Sequence, residues 1–240
     1  MLIDIICIKF IYKVIFIFFI IMHKTIQNLL SIENKIQANL DNLNIINQTK
    51  IIAVSKTFKM DKILPLIEHG HADYGENKVQ EAIEKWSEIK KQKSNIQLHL
   101  IGKLQTNKVK FAVKLFDYIH SLDNEKLANK ISSLQKIENK SLKIFIQVNI
   151  GEENQKSGIH VSKLAKFYTF CKDLNLNIVG LMCIPPVDGD ADIYFKKMQE
   201  LKKQFNFKDL SMGMSSDYLD ALKYNASFLR IGSSIFGNRN

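Results

Sequence analysis

The sequence predicts an α/β protein built as a parallel (β/α)8 TIM barrel with a leading N-terminal helix, and three observations carry that expectation. Eight short apolar runs alternate with amphipathic helical patterns across about 190 residues. Each run ends in glycine or polar residues, as strands do where loops leave a parallel sheet. No G-x-G-x-x-G follows the first run, which removes the strongest signature of the competing open, doubly wound sheet.

The elements follow in order. Over residues 25–43, Ile26, Leu29, Leu30, Ile36 and Leu40 recur largely at spacings of three and four, the mark of an amphipathic helix. Residues 51–55 form the first strand, followed by a helix with Ile63, Leu64 and Ile67 that ends at Gly70. Residues 72–75 are the second strand, leading through Glu76 and Asn77 into a helix with Val79, Ile83, Trp86 and Ile89. The third and fourth strands are residues 97–101 and 117–121, separated by a helix carrying Val109 and Val113. Asp123 is expected to cap the next helix, which presents Leu127, Ile131 and Leu134. Residues 143–149 form the fifth strand, with Asn149 at its end. A helix with Leu164, Phe167, Cys171 and Leu174 leads to the sixth strand at 177–182, which stops at Pro185-Pro186. Tyr194, Met198, Leu201 and Phe205 mark another helix. Residues 209–212 and 228–231 are strands seven and eight, with a short helix over 217–224 between them.

Residues 1–21 stand apart as an apolar extension interrupted by Asp4, Lys9 and Lys13. The longest uncharged stretch, 14–22, falls well short of the roughly 20 apolar residues that cross a bilayer. Translation is therefore expected to start at Met22, with residues 22–240 as a single domain and no membrane attachment. Composition narrows the function further. Hydrophobic residues make up 46% of the chain, ample for a large core, and the odd count of three cysteines without C-x-x-C spacing points to a reducing cytoplasm. The formal net charge of +10 comes from lysines scattered along the chain, which argues against a nucleic-acid patch.

In a parallel barrel, chemistry sits at the C-terminal ends of the strands. Lys56 follows strand one, Asn77 strand two and Asn149 strand five. Strand seven runs into Ser211-Met212-Gly213-Met214-Ser215-Ser216, and strand eight into Arg230-Ile231-Gly232-Ser233-Ser234. Glycines that allow close backbone approach, together with hydroxyl donors, suit a phosphate, and barrels commonly bind phosphate after strands seven and eight. A partly desolvated lysine amine at a strand end can form a Schiff base with an aldehyde.

The segments Ala53-Val54-Ser55-Lys56-Thr57, Tyr74-Gly75-Glu76-Asn77, residues 99–108 (HLIGKLQTNK), Gln147-Val148-Asn149, residues 211–215 and Arg230-Ile231-Gly232 closely resemble the pyridoxal phosphate homeostasis protein family. The resemblance spans residues 22–237, in family order. It implies a barrel of the alanine racemase N-terminal domain type, fold type III among pyridoxal 5'-phosphate (PLP) proteins. It further implies that Lys56 holds PLP as a Schiff base, with Asn77 in the cofactor site. Ser215, Gly232 and Ser233 would bind the phosphate, and Arg230 would face the pyridine nitrogen. Many relatives have Thr at the Ser233 position and Pro at the Lys59 position.

Alanine racemase adds a second β domain carrying an opposing tyrosine, and the sequence has no room for that domain. The expectation is a cytoplasmic protein that buffers or delivers PLP, as a monomer or weak homodimer, with apo PLP-dependent enzymes as partners. A PLP-dependent racemase of low activity is the alternative, followed by a Schiff-base aldolase and a basic nucleic-acid binder. Lys156, in the loop after strand five, is a candidate second amine for cofactor handling or an exposed loop lysine. Asn107 and Asn149 are site-facing or loop-stabilising. His99 is expected to be a hydrogen-bonded interior residue, and His69 and His71 to serve a helix end and not a metal.

Overall fold

The computed structural model describes residues 22–46 and 48–238, so the expectation for residues 1–21 lies outside the described residues. Helix α1 (Lys24–Asn42) leads, with Leu29, Ile32, Ile36 and Leu40 buried along one face. The chain then alternates β1 (Lys50–Val54), α2 (Met60–Glu68), β2 (Asp73–Glu76), α3 (Val79–Gln92), β3 (Gln97–Leu100) and α4 (Val109–Leu115). It continues through β4 (Tyr118–Leu122), α5 (Glu125–Ile137), β5 (Lys143–Gln147), α6 (Leu164–Asp173) and β6 (Ile178–Met182). The last elements are α7 (Ala191–Gln204), β7 (Asp209–Met214), α8 (Tyr218–Lys223), β8 (Phe228–Ile231) and the single turn α9 (Ser233–Phe236). All eight strands pair in parallel in chain order, and β8 closes on β1 through Lys50↔Phe228 to Ala53↔Ile231. The expected (β/α)8 barrel with a leading helix is therefore what the chain forms.

Period-two alternation divides the strand residues between two cores. Ala53, Leu98, Ile119, Ile144, Leu181, Leu210 and Leu229 belong to the larger core under the helices. Ile52, Tyr118, Phe145, Met182 and Phe228 form a second, smaller core within the barrel. The outward face is thus almost uniformly apolar. The inward face mixes aromatic residues with His99, His120, Ser211 and Arg230, all buried.

Several local expectations are corrected. Asn124, not Asp123, caps α5: its side chain accepts from the Leu127 amide at 2.9 Å, while Asp123 accepts from the Asn124 amide group. In α2 the buried face is Ile63, Leu66 and Ile67; Leu64 lies a quarter-turn off it and is exposed. Strand five ends at Gln147: the Val148 amide still donates to the Met182 carbonyl at 2.8 Å but Val148 bridges to Ile159, and Asn149 turns to donate to the Ile159 carbonyl at 3.0 Å. Lys59 stands at the start of α2 without a side-chain cap bond. His69 takes the C-cap position of α2, and the His71 ring bonds the Asp73 carbonyl at 3.0 Å. No cluster suited to a metal occurs among the described residues, and none of their helices is long and apolar enough to cross a membrane.

Burial holds His71, His99 and His120 below the ordinary histidine value; for His99 a bond to Asp73 works the other way, and for His120 the nearby His99 and Arg230 add to the fall. A histidine kept neutral in the fold binds a proton only on unfolding, so stability is complete above about pH 6.5 and falls as pH drops below it. Each such histidine contributes a slope of up to ~1.4 kcal/mol per pH unit. Urea midpoints are expected to be flat from pH 7 to 8 and clearly lower at pH 5.5; equal midpoints would contradict the neutral assignment.

Candidate functional site

A cleft of about 1150 Å³ opens at the C-terminal mouth of the barrel. Lys56, Asn77, Ser215, Arg230, Gly232 and Ser233 all line it, so closure of the barrel gathers every residue expected at the site. They arrive from four strand ends: Lys56 after β1, Asn77 after β2, Ser215 after β7, and Arg230, Gly232 and Ser233 at the end of β8. Lys56 is half-buried one residue beyond the fully buried Ser55, and Thr57 after it adopts a left-handed φ of 67°. A β-branched residue in that region is strained and needs support from its surroundings. The support is a polar clamp behind the strand: the Thr57 amide donates to Glu81 at 2.6 Å. Lys85 donates to the Ser55 carbonyl at 2.9 Å and pairs with both Glu76 and Glu81 at 2.8 Å. Glu76 is fully buried, and its Oε1 also accepts from Ser55 at 2.7 Å and from the Trp86 indole at 3.0 Å.

The hydroxyl side of the cleft is shaped by a bulge. Gly213 has φ 86°, and the β7–β8 register shifts between Ser211↔Phe228 and Met214↔Arg230. A positive-φ glycine in a strand is the usual way to insert that extra residue. The following turn is tied by the Met214 amide donating to Asp217 at 2.5 Å, and the Gly232 amide donates to the Ser215 hydroxyl at 3.4 Å. Ser215 and Ser233 thereby face the same opening. Gly102 packs against Asn77 so closely that a Cβ would stand 2.4 Å from its carbonyl oxygen, which fixes where Asn77 enters the cleft.

Arg230 sits at the floor of the cleft with 5% of its surface exposed. It donates to the Ser211 hydroxyl and to the Cys183 carbonyl, each at 2.8 Å. Burial lowers its pKa, with the nearby Cys183 and Asp217 opposing the fall, but a guanidinium stays protonated under ordinary conditions. The neighbouring Cys183 thiol is pushed up to about 12 by burial, so it is an inert packing group and not a nucleophile.

Lys156 lines the same cleft, half-buried, with its amine 2.6 Å from Glu153 and 3.2 Å from the Pro185 carbonyl. Asn149 lines the cleft and also ties the loop, donating to the Glu153 carbonyl at 2.8 Å while accepting from its amide at 3.3 Å. Asn107 lies in an exposed 3-10 turn away from the cleft. Sequence reasoning missed Glu76, Lys85 and Ser211 as site supports. Glu76 and Ser211 stand inside the recognised segments, but only their burial and partners reveal what they do.

Comparison with known proteins gives a consistent answer. The alanine racemase N-terminal domain family matches residues 33–240. The pyridoxal phosphate homeostasis protein of Haemophilus influenzae is 37% identical over 205 residues, covering 81% of this chain and 86% of that protein. The structure of PipY from Synechococcus elongatus with PLP bound is 32% identical, with a TM-score of 0.73, and covers 84% of this chain and 100% of PipY. Alanine racemase from Bartonella henselae shares the fold at 16% identity and a TM-score of 0.64, and this chain corresponds to 58% of it. The chain belongs to the alanine racemase N-terminal domain family and, within it, to the pyridoxal phosphate homeostasis proteins.

Proposed function

We propose that the protein binds PLP, anchors it covalently on Lys56, and buffers or delivers it in intracellular PLP homeostasis. The observation that carries this reading is the convergence, in one cleft, of a lysine amine, a buried guanidinium and a hydroxyl-and-glycine cluster. These groups fit the cofactor's chemistry: an amine for its aldehyde, a donor for its ring nitrogen, and amide and hydroxyl donors for its phosphate. The cleft is also large enough for a ligand of that size. PLP supplies an aldehyde that condenses with amines and a ring that withdraws electrons once its nitrogen is protonated.

The chain's own residues then divide the work. Ser215, Gly232 and Ser233 would hold the phosphate, and Asn77 lines the same cleft. Arg230 can only donate, so it keeps the pyridine nitrogen unprotonated and weakens the ring as an electron sink. A site built in this way retains its cofactor more readily than it drives carbanion chemistry, which favours a carrier over a racemase. Free, buried Cys171 and Cys183 support the cytoplasmic setting, where apo PLP-dependent enzymes are the recipients.

The test is a spectrophotometric titration with PLP, paired with proton exchange. The protein is expected to develop a saturable visible band while leaving the α-proton of free amino acids unexchanged in deuterated solvent. Absence of the band defeats the binding reading, and rapid Lys56-dependent exchange defeats the carrier reading.

A further inference from the structure

Five polar side chains cross the barrel interior from its N-terminal end to the floor of the cleft. The Asp73 carboxylate lies 2.9 Å from His99 Nε2, and His99 Nδ1 lies 3.0 Å from His120 Nε2. His120 Nδ1 lies 2.9 Å from the Ser211 hydroxyl, which accepts from Arg230 at 2.8 Å. Both imidazoles are fully buried and stacked on aromatic rings, His99 on Tyr118 at 4.2 Å and His120 on Phe145 at 4.4 Å between centroids.

Donor and acceptor counting gives this chain one direction. Asp73, ionised, only accepts, so His99 carries its proton on Nε2 and presents a bare Nδ1. That nitrogen must receive, so His120 also carries its proton on Nε2 and presents a bare Nδ1 to Ser211. Ser211 must then donate to His120, which leaves its lone pairs for Arg230. At the other end, Arg230 can only donate, so the two fixed ends agree. We propose that Asp73, His99, His120 and Ser211 form a one-way hydrogen-bond relay that sets the orientation of Arg230 toward the cofactor ring.

The relay rests on the PLP reading for its purpose, but its direction follows from this chain alone. Hydrogen-bond chains in a low-dielectric interior polarise one another, so a change at Asp73 is felt at Arg230 without contact. Burial holds both histidines neutral, as the relay needs, and the bond from His99 helps hold the Asp73 carboxyl low against its own burial. Asp73, His99 and His120 are positioning residues: they do not line the cleft.

The experiment is nitrogen-15 NMR of the histidine rings in the whole protein at pH 7.5, before and after loading with PLP. In the unloaded wild type, His99 and His120 are each expected to be protonated at Nε2 and bare at Nδ1. The near-isosteric Asp73→Asn, remote from the cleft, is expected to move the His120 Nδ1 signal. Asn still accepts from His99 but carries no charge, so in the loaded protein it should shift the visible band and weaken PLP binding about fivefold, the difference between a charged and a neutral acceptor. His120→Asn, which keeps an acceptor for Ser211, should bind PLP more like wild type than His120→Leu does. A protonated His120 Nδ1 in the wild type overturns the relay. So does an Asp73→Asn protein that melts earlier yet keeps its band, affinity and His120 signal, since that marks a purely structural role. If Asp73→Asn does not fold, the wild-type tautomers and the two His120 variants decide. If the wild type binds no PLP, the functional reading fails separately, and the tautomers still decide the relay.

Discussion

Lys56→Ala is expected to reduce borohydride-trapped PLP to background and to remove the visible band, while the protein stays folded. The first half follows from chemistry: a covalent link to an aldehyde requires an amine, and alanine supplies none. The second follows from position. Lys56 is half-buried at the mouth and is not part of either hydrophobic core, so truncation leaves no cavity in packed regions. Residual binding is expected to persist, because Arg230, Ser215, Gly232 and Ser233 still face the cleft. Dialysis should strip PLP from this variant far faster than from the wild type. An undiminished trapped adduct would show that a different amine is the anchor, with Lys156 and Lys103, which line the same cleft, the first to test.

Glu76→Ala is expected to give the largest loss of stability among substitutions near the site, about 3 kcal/mol. The carboxylate is fully buried and serves three donors, from Ser55, Trp86 and Lys85. Removing it leaves the Trp86 N–H unpaired in a fully buried setting and takes one of two carboxylates from Lys85, whose side chain is only 12% exposed. For a chain of this size that loss corresponds to a fall in Tm of roughly 6–12 °C. Because Lys85 also holds the Ser55 carbonyl beside Lys56, trapping of PLP should slow in the same variant. Glu76→Gln keeps an acceptor for Ser55 and Trp86 and should lose less than half as much. A Glu76→Ala protein as stable as the wild type would show that the clamp contributes nothing net.

Much of this architecture was legible because the barrel's outward face is apolar. Ala53, Leu98, Ile119, Ile144, Leu181, Leu210 and Leu229 all pack under helices, so each strand announces itself as a short apolar run. The site was legible for a different reason: Lys56, Asn77, Ser215 and Arg230 sit at or just past strand ends, which chain order alone locates once a barrel is assumed.

What stayed hidden depends on pairing across the barrel. His120 and Ser211 are 91 positions apart, and His99 and Asp73 are 26 apart, so no local pattern joins them. Their isolated polar letters within apolar runs read as interruptions until closure and register bring them into one line. The cap of α5 failed for a local reason. Asp123 and Asn124 are both good caps, and the backbone places Asn124 in the extended conformation that a cap requires. Asn149 falls outside the strand because its amide donates to the Ile159 carbonyl, a partner in the following loop that no local pattern announces.

The central claim is that one amine, Lys56, anchors PLP at the barrel mouth. Reduction of the PLP-loaded wild-type protein with borohydride, followed by peptide mass spectrometry, tests it most directly. The expected result is a single stoichiometric pyridoxyl-phosphate modification on the peptide carrying Ala53-Val54-Ser55-Lys56-Thr57. Modification at another lysine, or spread over many lysines at substoichiometric levels, would contradict it.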